Sequence, residues 1–383
     1  MDFSWPEHHL AYRKEVEAFA RQTLDPAVAD RDERGIFSRE AWEKCAEFGI
    51  QGLSIPKAYG GTFEDRDLLR ATLAMEGFGY ACTDNGLALG LNAHMWTVQL
   101  PIFEFGSEEQ RKKYLPGMAA GRLIGAHALT EPDAGSDVFS MNTRAEKTEG
   151  GYLLEGEKHL ITFGPIADVV MVLARTNPAL GKWGISAFIV ERGTEGLIQH
   201  PVQSKMGMRT VPIGKLSFQQ CFIPEENRLG AEGAGFSIIS HSLEYDRCFI
   251  LASQLGSMER QLENTVDFVT RRRQFDQPIG KFQSVANRVA DMKLRLETSR
   301  MLLYKAAWLK SQGKSAMMEA ALLKLQLSES FLASSLDAIR NGGGIAYLTE
   351  TGIERDLRDA IGGVLYAGTS DIQRNIIAKL LGI

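Results

Sequence analysis

Leu365-Tyr366-Ala367-Gly368-Thr369-Ser370-Asp371-Ile372-Gln373-Arg374, near the end of the 383-residue chain, decides how the rest is read. A closing helix is expected from Ser370 onward. Just ahead of it, Ala367 carries a backbone N–H but no side-chain atom able to take a proton.

The neighbouring sequence is helical. Met317–Ile339, Val285–Leu309 and Phe249–Val269 repeat apolar residues with the period of a helix. Gly342-Gly343-Gly344 breaks that pattern, since glycine is poorly suited to a helix interior. Further back the period changes. Tyr152–Leu154, Val169–Leu173, Ile185–Val190 and Leu216–Phe218 are short, apolar and largely β-prone, with Gly150-Gly151 and Asn177-Pro178 as turn signals. The N-terminal part is helical again, as in Ala11–Leu24 and Trp42–Phe48. Ser107-Glu108-Glu109-Gln110 reads as a capping box, while Gly60-Gly61 and Pro116-Gly117 punctuate. The expected organisation is α, β, α: an N-terminal helical domain over 1–122, a central β domain over 123–231 and a C-terminal helical domain over 232–383.

At 44% hydrophobic and 24% charged, the composition is that of an ordinary globular protein. A net charge of −5 argues against binding nucleic acid or an acidic membrane. Cys45, Cys82, Cys221 and Cys248 have no metal-site spacing and read as reduced thiols. The N-terminus is charged and periodic, unlike a signal peptide, and no apolar run is long enough to span a bilayer. A cytoplasmic protein with no metal is expected. Arg271-Arg272-Arg273 is a basic exception, which by itself reads as a solvated helix face.

The opening decapeptide resembles the Y-x-G-T-S-[DE]-I-Q-R signature of the acyl-CoA dehydrogenase flavoenzymes. Leu129–Asp137 resembles their T-E-P-x-A-G-S-D loop and Lys158–Thr162 their K-x-W-I-T strand. Lys205–Arg209 and Arg272–Phe275 match two further signatures. The resemblance covers nearly the whole chain. It implies an α+β, acyl-CoA dehydrogenase-like fold ending in a four-helix bundle, and FAD as cofactor. It places Leu129 and Thr130 at the pyrimidine edge of the flavin, Thr162 near N5 and Ser136 at the pyrophosphate and substrate. Arg272, Gln274 and Phe275 would reach the FAD of a neighbouring subunit, which implies a homo-oligomer such as a tetramer. Gly343 and Gly344 would approach the adenosine side, and Thr369 and Asp371 would complete the set. Leu160 departs from the family's aromatic residue, and Arg340 from its glutamine.

In most of the family the base glutamate stands where this chain has Ala367. A branch carries it instead on a helix, in an L-x-x-E-R-type motif. The run from Asp246-Arg247 to Leu255-Gly256 matches that branch without a gap, and Asp246 takes the glutamate position. Asp is one methylene shorter, and proton transfer needs heavy atoms within about 2.6–3.2 Å. Glu244 is the alternative, roughly 200° around the helix. The resemblance assigns the Ala367 N–H to an oxyanion clamp on the thioester carbonyl. Substrate contacts would come from Ser136, Tyr366, Arg247 and Glu244.

The implied reaction is α,β-dehydrogenation of a thioester, with electrons leaving to an electron-transfer flavoprotein or to oxygen. Arg355–Tyr366 and the helix-borne acid look most like the subgroup that oxidises aminoacyl or acyl groups on carrier proteins, including the prolyl-carrier-protein dehydrogenases. CoA shares the same phosphopantetheine arm. An ordinary short-chain or branched acyl-CoA dehydrogenase, a flavin monooxygenase and a non-catalytic flavoprotein stay open as alternatives.

Overall fold

The computed structural model describes residues 5–24 and 27–383. The N-terminal helices are α1 (Glu7–Thr23), α2 (Val28–Arg34), α3 (Arg39–Phe48), α4 (Leu68–Ala81), α5 (Asn85–Ala93), α6 (Leu100–Phe105) and α7 (Glu108–Ala119). The capping box is present at α7, where Ser107 Oγ accepts from Gln110 N and Gln110 Oε1 accepts from Ser107 N. Pro116 does not end α7, which runs on to Ala119.

The strands are β1 (Gly125–Ala128), β2 (Arg144–Thr148), β3 (Gly151–Thr162), β4 (Val169–Arg175), β5 (Ile185–Glu191), β6 (Leu197–Gln199), β7 (Ile213–Pro224) and β8 (Arg228–Leu229). They form one sheet in the order β6-β7-β3-β2-β4-β5-β8, with β1 parallel to β4. Val170, Val172 and Ala174 of β4 join one core, while Val169, Met171 and Leu173 join a second. Cover on both faces explains why β4 reads as an unbroken apolar run and not as an alternation.

The C-terminal helices are α8 (Gly235–Phe249), α9 (Ala252–Arg271), α10 (Gln283–Ser311), α11 (Met317–Gly342), α12 (Ile353–Gly363) and α13 (Ser370–Leu380). Helices α8 to α11 pack on one another as the bundle. The Phe249–Val269 pattern predicts one helix, but the chain breaks between α8 and α9 at Ile250 and Leu251. Both of these residues are buried, so the apolar pattern continues across a break that no Gly or Pro marks.

Candidate active site

The end of α8 meets the loop between α12 and α13. Arg247 Nε donates to the carbonyl of Ala367 at 3.2 Å. Gln254 Nε2 of α9 donates to the Tyr366 hydroxyl at 2.7 Å. Gln373 Nε2 of α13 donates to the carbonyls of Ala367 and Gly368, each at 3.0 Å. Three helices therefore hold this short loop in place. Ala367 sits at φ 55°, a left-handed conformation that an alanine adopts only under strain. Its N–H has no acceptor among the described residues.

The loop leads out of α12, and α12 is itself clamped. Met208 N donates to Asp359, and Arg358 Nη1 donates to the Met206 carbonyl at 3.0 Å. Between them Gly207 lies so close to α12 that a Cβ there would come within 2.3 Å of the Arg358 carbonyl oxygen. The Lys205–Arg209 motif thus works as a brace for the loop carrying Tyr366 and Ala367.

Asp246 lies on the buried face of α8, with only 3% of its surface exposed, and its Oδ1 has no hydrogen-bond partner among the described residues. Burial pushes its carboxyl up to about 7, against the opposing pull of the Arg247 and Lys324 cations. A carboxyl of that kind is half ionised near neutrality, as a general base requires. Asp246 forms no ion pair with Arg247. Glu244, the alternative base and expected substrate contact, is committed elsewhere: it accepts from Lys310 Nζ at 2.9 Å and from Ala316 N at 2.6 Å. The structure brings Asp246, Arg247, Tyr366 and Ala367 together and gives Glu244 other partners.

The flavin-side residues form a second group. His159 N donates to the Thr130 carbonyl at 2.8 Å, which sets Leu129-Thr130 beside the end of β3. Lys158 Nζ donates to the Leu129 carbonyl at 3.1 Å and to Glu131 Oε1 at 2.8 Å. Glu131 in turn accepts from Thr143 N at 2.9 Å and from Asn142 N. Burial opposes charge on Glu131, but Lys158 and these donors outweigh it and hold its carboxyl below the usual range. The β3–β7 register slips between Lys158 and Ile161, and Leu160 within the slip has φ 57°. Bulges of this kind re-aim side chains. Leu160 ends 55% exposed.

These features fit FAD. Leu160 is a large apolar side chain left open beside Thr162. Thr130 and Thr162 are half-buried, with no hydrogen-bond partner for either hydroxyl among the described residues. A Cβ added at Gly343 or Gly344 would meet nothing within 4 Å, so the chain's own packing does not fill that space. Ser136 is exposed, Thr369 caps α13 by accepting from Ile372 N at 3.3 Å, and Asp371 is exposed and paired with Arg374. Arg272, Gln274 and Phe275 lie on an exposed hairpin, with Phe275 86% exposed and at φ 51°.

Sequence reasoning gave no role to Lys324, Gln254 or the Lys158–Glu131 pair. Lys324 had a visible signal: it stands on the apolar stripe of Ala320, Leu327 and Phe331, where a solvated lysine does not belong.

Comparison with known proteins matches residues 6–122, 126–221 and 233–382 to the N-terminal, middle and C-terminal domains of acyl-CoA dehydrogenase. The chain is 41% identical, over 382 residues and 100% of both chains, to an L-prolyl-(peptidyl-carrier protein) dehydrogenase of Pseudomonas fluorescens. Among solved structures it is similar to the prolyl acyl carrier protein oxidase AnaB, with a TM-score of 0.98 and 46% identity over 99% of this chain and 100% of that one. PigA, solved with FAD and proline, gives 0.97 and 40% over 100% and 99%. No described helix is long and apolar enough to cross a membrane.

Proposed function

Because the chain belongs to the acyl-CoA dehydrogenase family, we propose that it is an FAD-dependent dehydrogenase of an acyl or aminoacyl thioester held on a phosphopantetheine arm, with Asp246 as base. The division into domains 1–122, 123–231 and 232–383 is part of this reading. The observation that carries it is a buried carboxylate, its Oδ1 unpartnered among the described residues, on the helix end that Arg247 ties to the loop carrying the unspent Ala367 N–H. Bound through Leu129, Thr130 and Thr162, FAD would supply the acceptor for the substrate β-hydrogen, which leaves as hydride. Asp246 takes the α-proton. The Ala367 N–H donates to the thioester oxygen as negative charge builds there. Arg247 and Gln254 keep the loop and Tyr366 in register.

The substrate proposed first is a prolyl group on a carrier protein, because the carrier-protein enzymes are similar to this chain at 40–46% identity and the short-chain acyl-CoA dehydrogenase of Megasphaera elsdenii at 37%. Electrons would pass to an electron-transfer flavoprotein or to oxygen. The exposed Arg272–Phe275 hairpin suits a homotetramer in which it completes a neighbour's FAD site.

Anaerobic addition of prolyl-carrier protein to the flavin-loaded enzyme is expected to bleach the flavin band, with short acyl-CoAs slower or inert. Bleaching by CoA thioesters alone would favour an ordinary acyl-CoA dehydrogenase. A flavin that no thioester bleaches would favour the monooxygenase or non-catalytic alternatives. The bleaching rate should also depend on pH. Asp246 is protonated, and so useless as a base, below about 7. The rate is therefore expected to rise as pH increases through that value, measurable by stopped-flow between acid and alkaline limits.

A further inference from the structure

Behind Asp246 lies a buried cation that no step above uses. Lys324 on α11 is fully buried, and its Nζ has no hydrogen-bond partner among the described residues. Ser328, one helical turn further along the same face of α11, has its Cβ within 3.5 Å of where a side chain at Gly363 would begin. At the same point Gln254 Oε1 comes within 3.2 Å. The face of α11 that carries Lys324 is thus turned toward the helix end and loop that hold Tyr366.

We propose that Lys324 is a positioning residue for the reaction, holding Asp246 as a carboxylate ready to take the substrate proton. This rests on the reading of Asp246 as base. An isolated buried carboxylate favours its neutral form, and a cation nearby is the means of reversing that preference. The groups facing Asp246 are few. Arg247 on α8 donates to the Ala367 carbonyl and exerts the larger of two cationic pulls on Asp246. Tyr366 from the α12–α13 loop is neutral, held by Gln254 of α9, with burial pushing its hydroxyl further up. Asp359 of α12 acts on Tyr366 and is itself held by Met208 N and Asn85. Glu244 is paired with Lys310. Lys324 supplies the second pull: its Nζ has no hydrogen-bond partner among the described residues, and Asp246 is the carboxylate that acts on it most, with Glu329 on its own helix adding a weaker pull. Burial draws the Lys324 ammonium down to about 8, so it stays mostly charged at pH 7. The two charges are close enough to act on each other yet form no direct ion pair, which leaves the carboxylate oxygens free for substrate.

The test uses flavin-loaded Lys324→Met, Lys324→Gln and Lys324→Arg. In the Met variant the acid limb of the pH profile for flavin bleaching by prolyl-carrier protein is expected to move up by about 1–2 units. At pH 7 its rate should fall on the order of tenfold. Lys324→Arg should keep the limb where it is. In substrate-free protein, the infrared carbonyl band lost in Asp246→Asn should titrate at correspondingly higher pH in Lys324→Met. Lys324→Gln gives the same readouts if the Met variant does not fold. If Asp246→Asn bleaches at the wild-type rate, the base assignment fails. If Asp246 holds as base while the limb and the band stay put without Lys324, the role of Lys324 is overturned. A raised KM with an unmoved limb would also overturn it, making Lys324 a substrate contact.

Discussion

Asp246→Asn is expected to keep its flavin and to slow flavin reduction by the thioester on the order of 10²–10⁴-fold. The amide matches the carboxylate in shape, so the loop contacts of Arg247, Gln254 and Gln373 should survive. What it lacks is the ability to take a proton. Stability should hold or rise, because the native carboxyl is buried with Oδ1 unpartnered and an amide carries no charge to desolvate. That combination, lost chemistry with an undiminished melting temperature, is what separates a base from a structural acid. Stopped-flow absorbance under anaerobic conditions and a thermal melt of the same sample decide it. An Asn variant that bleaches normally would return Asp246 to the structural class, and one that loses flavin would show that the aspartate shapes the site instead of acting in it. Ala367 should still donate its N–H in this variant, so a residual rate above that of free flavin is expected from the oxyanion contact alone.

Much of this was legible in the chain because the relevant signals are local. The Lys158–Thr162 strand, the Leu129–Asp137 loop and the Leu365–Arg374 turn each carry their identity in a few adjacent residues. The strands β4 and β5 announce themselves by β-branched apolar runs. The break between α8 and α9 was not legible, since Ile250 and Leu251 bury themselves as well as any helical residue would. The choice between Asp246 and Glu244 was open in sequence because both are carboxylates on one helix. It is their partners that differ: Lys310 stands on α10, Lys324 on α11 and Ala316 just ahead of α11, all distant along the chain. The strain at Ala367 was equally hidden, because alanine gives no local hint of a left-handed backbone. Lys324 is the instructive omission: its place on an apolar stripe was visible, but the meaning of that place depends on what α8 puts opposite.

Lys158→Met is expected to destabilise the protein by about 3–5 kcal/mol and to loosen FAD. Lys158 is fully buried, and its ammonium is shared between the Leu129 carbonyl and the Glu131 carboxylate. Methionine fills much of the same volume, so the loss is of charge and donors more than of packing. Glu131 would be left buried with the N–H groups of Asn142 and Thr143 and no cation. Burying an uncompensated charge is the costly outcome, so adding Glu131→Gln to Lys158→Met should recover part of the stability by removing that charge. Flavin binding should not recover with it, because the Leu129 carbonyl still lacks its donor and Leu129-Thr130 loses the anchor that sets it beside β3. Urea unfolding of the single and double variants measures the first effect, and the rate of flavin release on dilution measures the second. If the double variant regained tight FAD together with stability, the Lys158 contact to Leu129 would be a packing detail. If it regained stability alone, the buried pair serves to hold the Leu129-Thr130 backbone in place for the flavin.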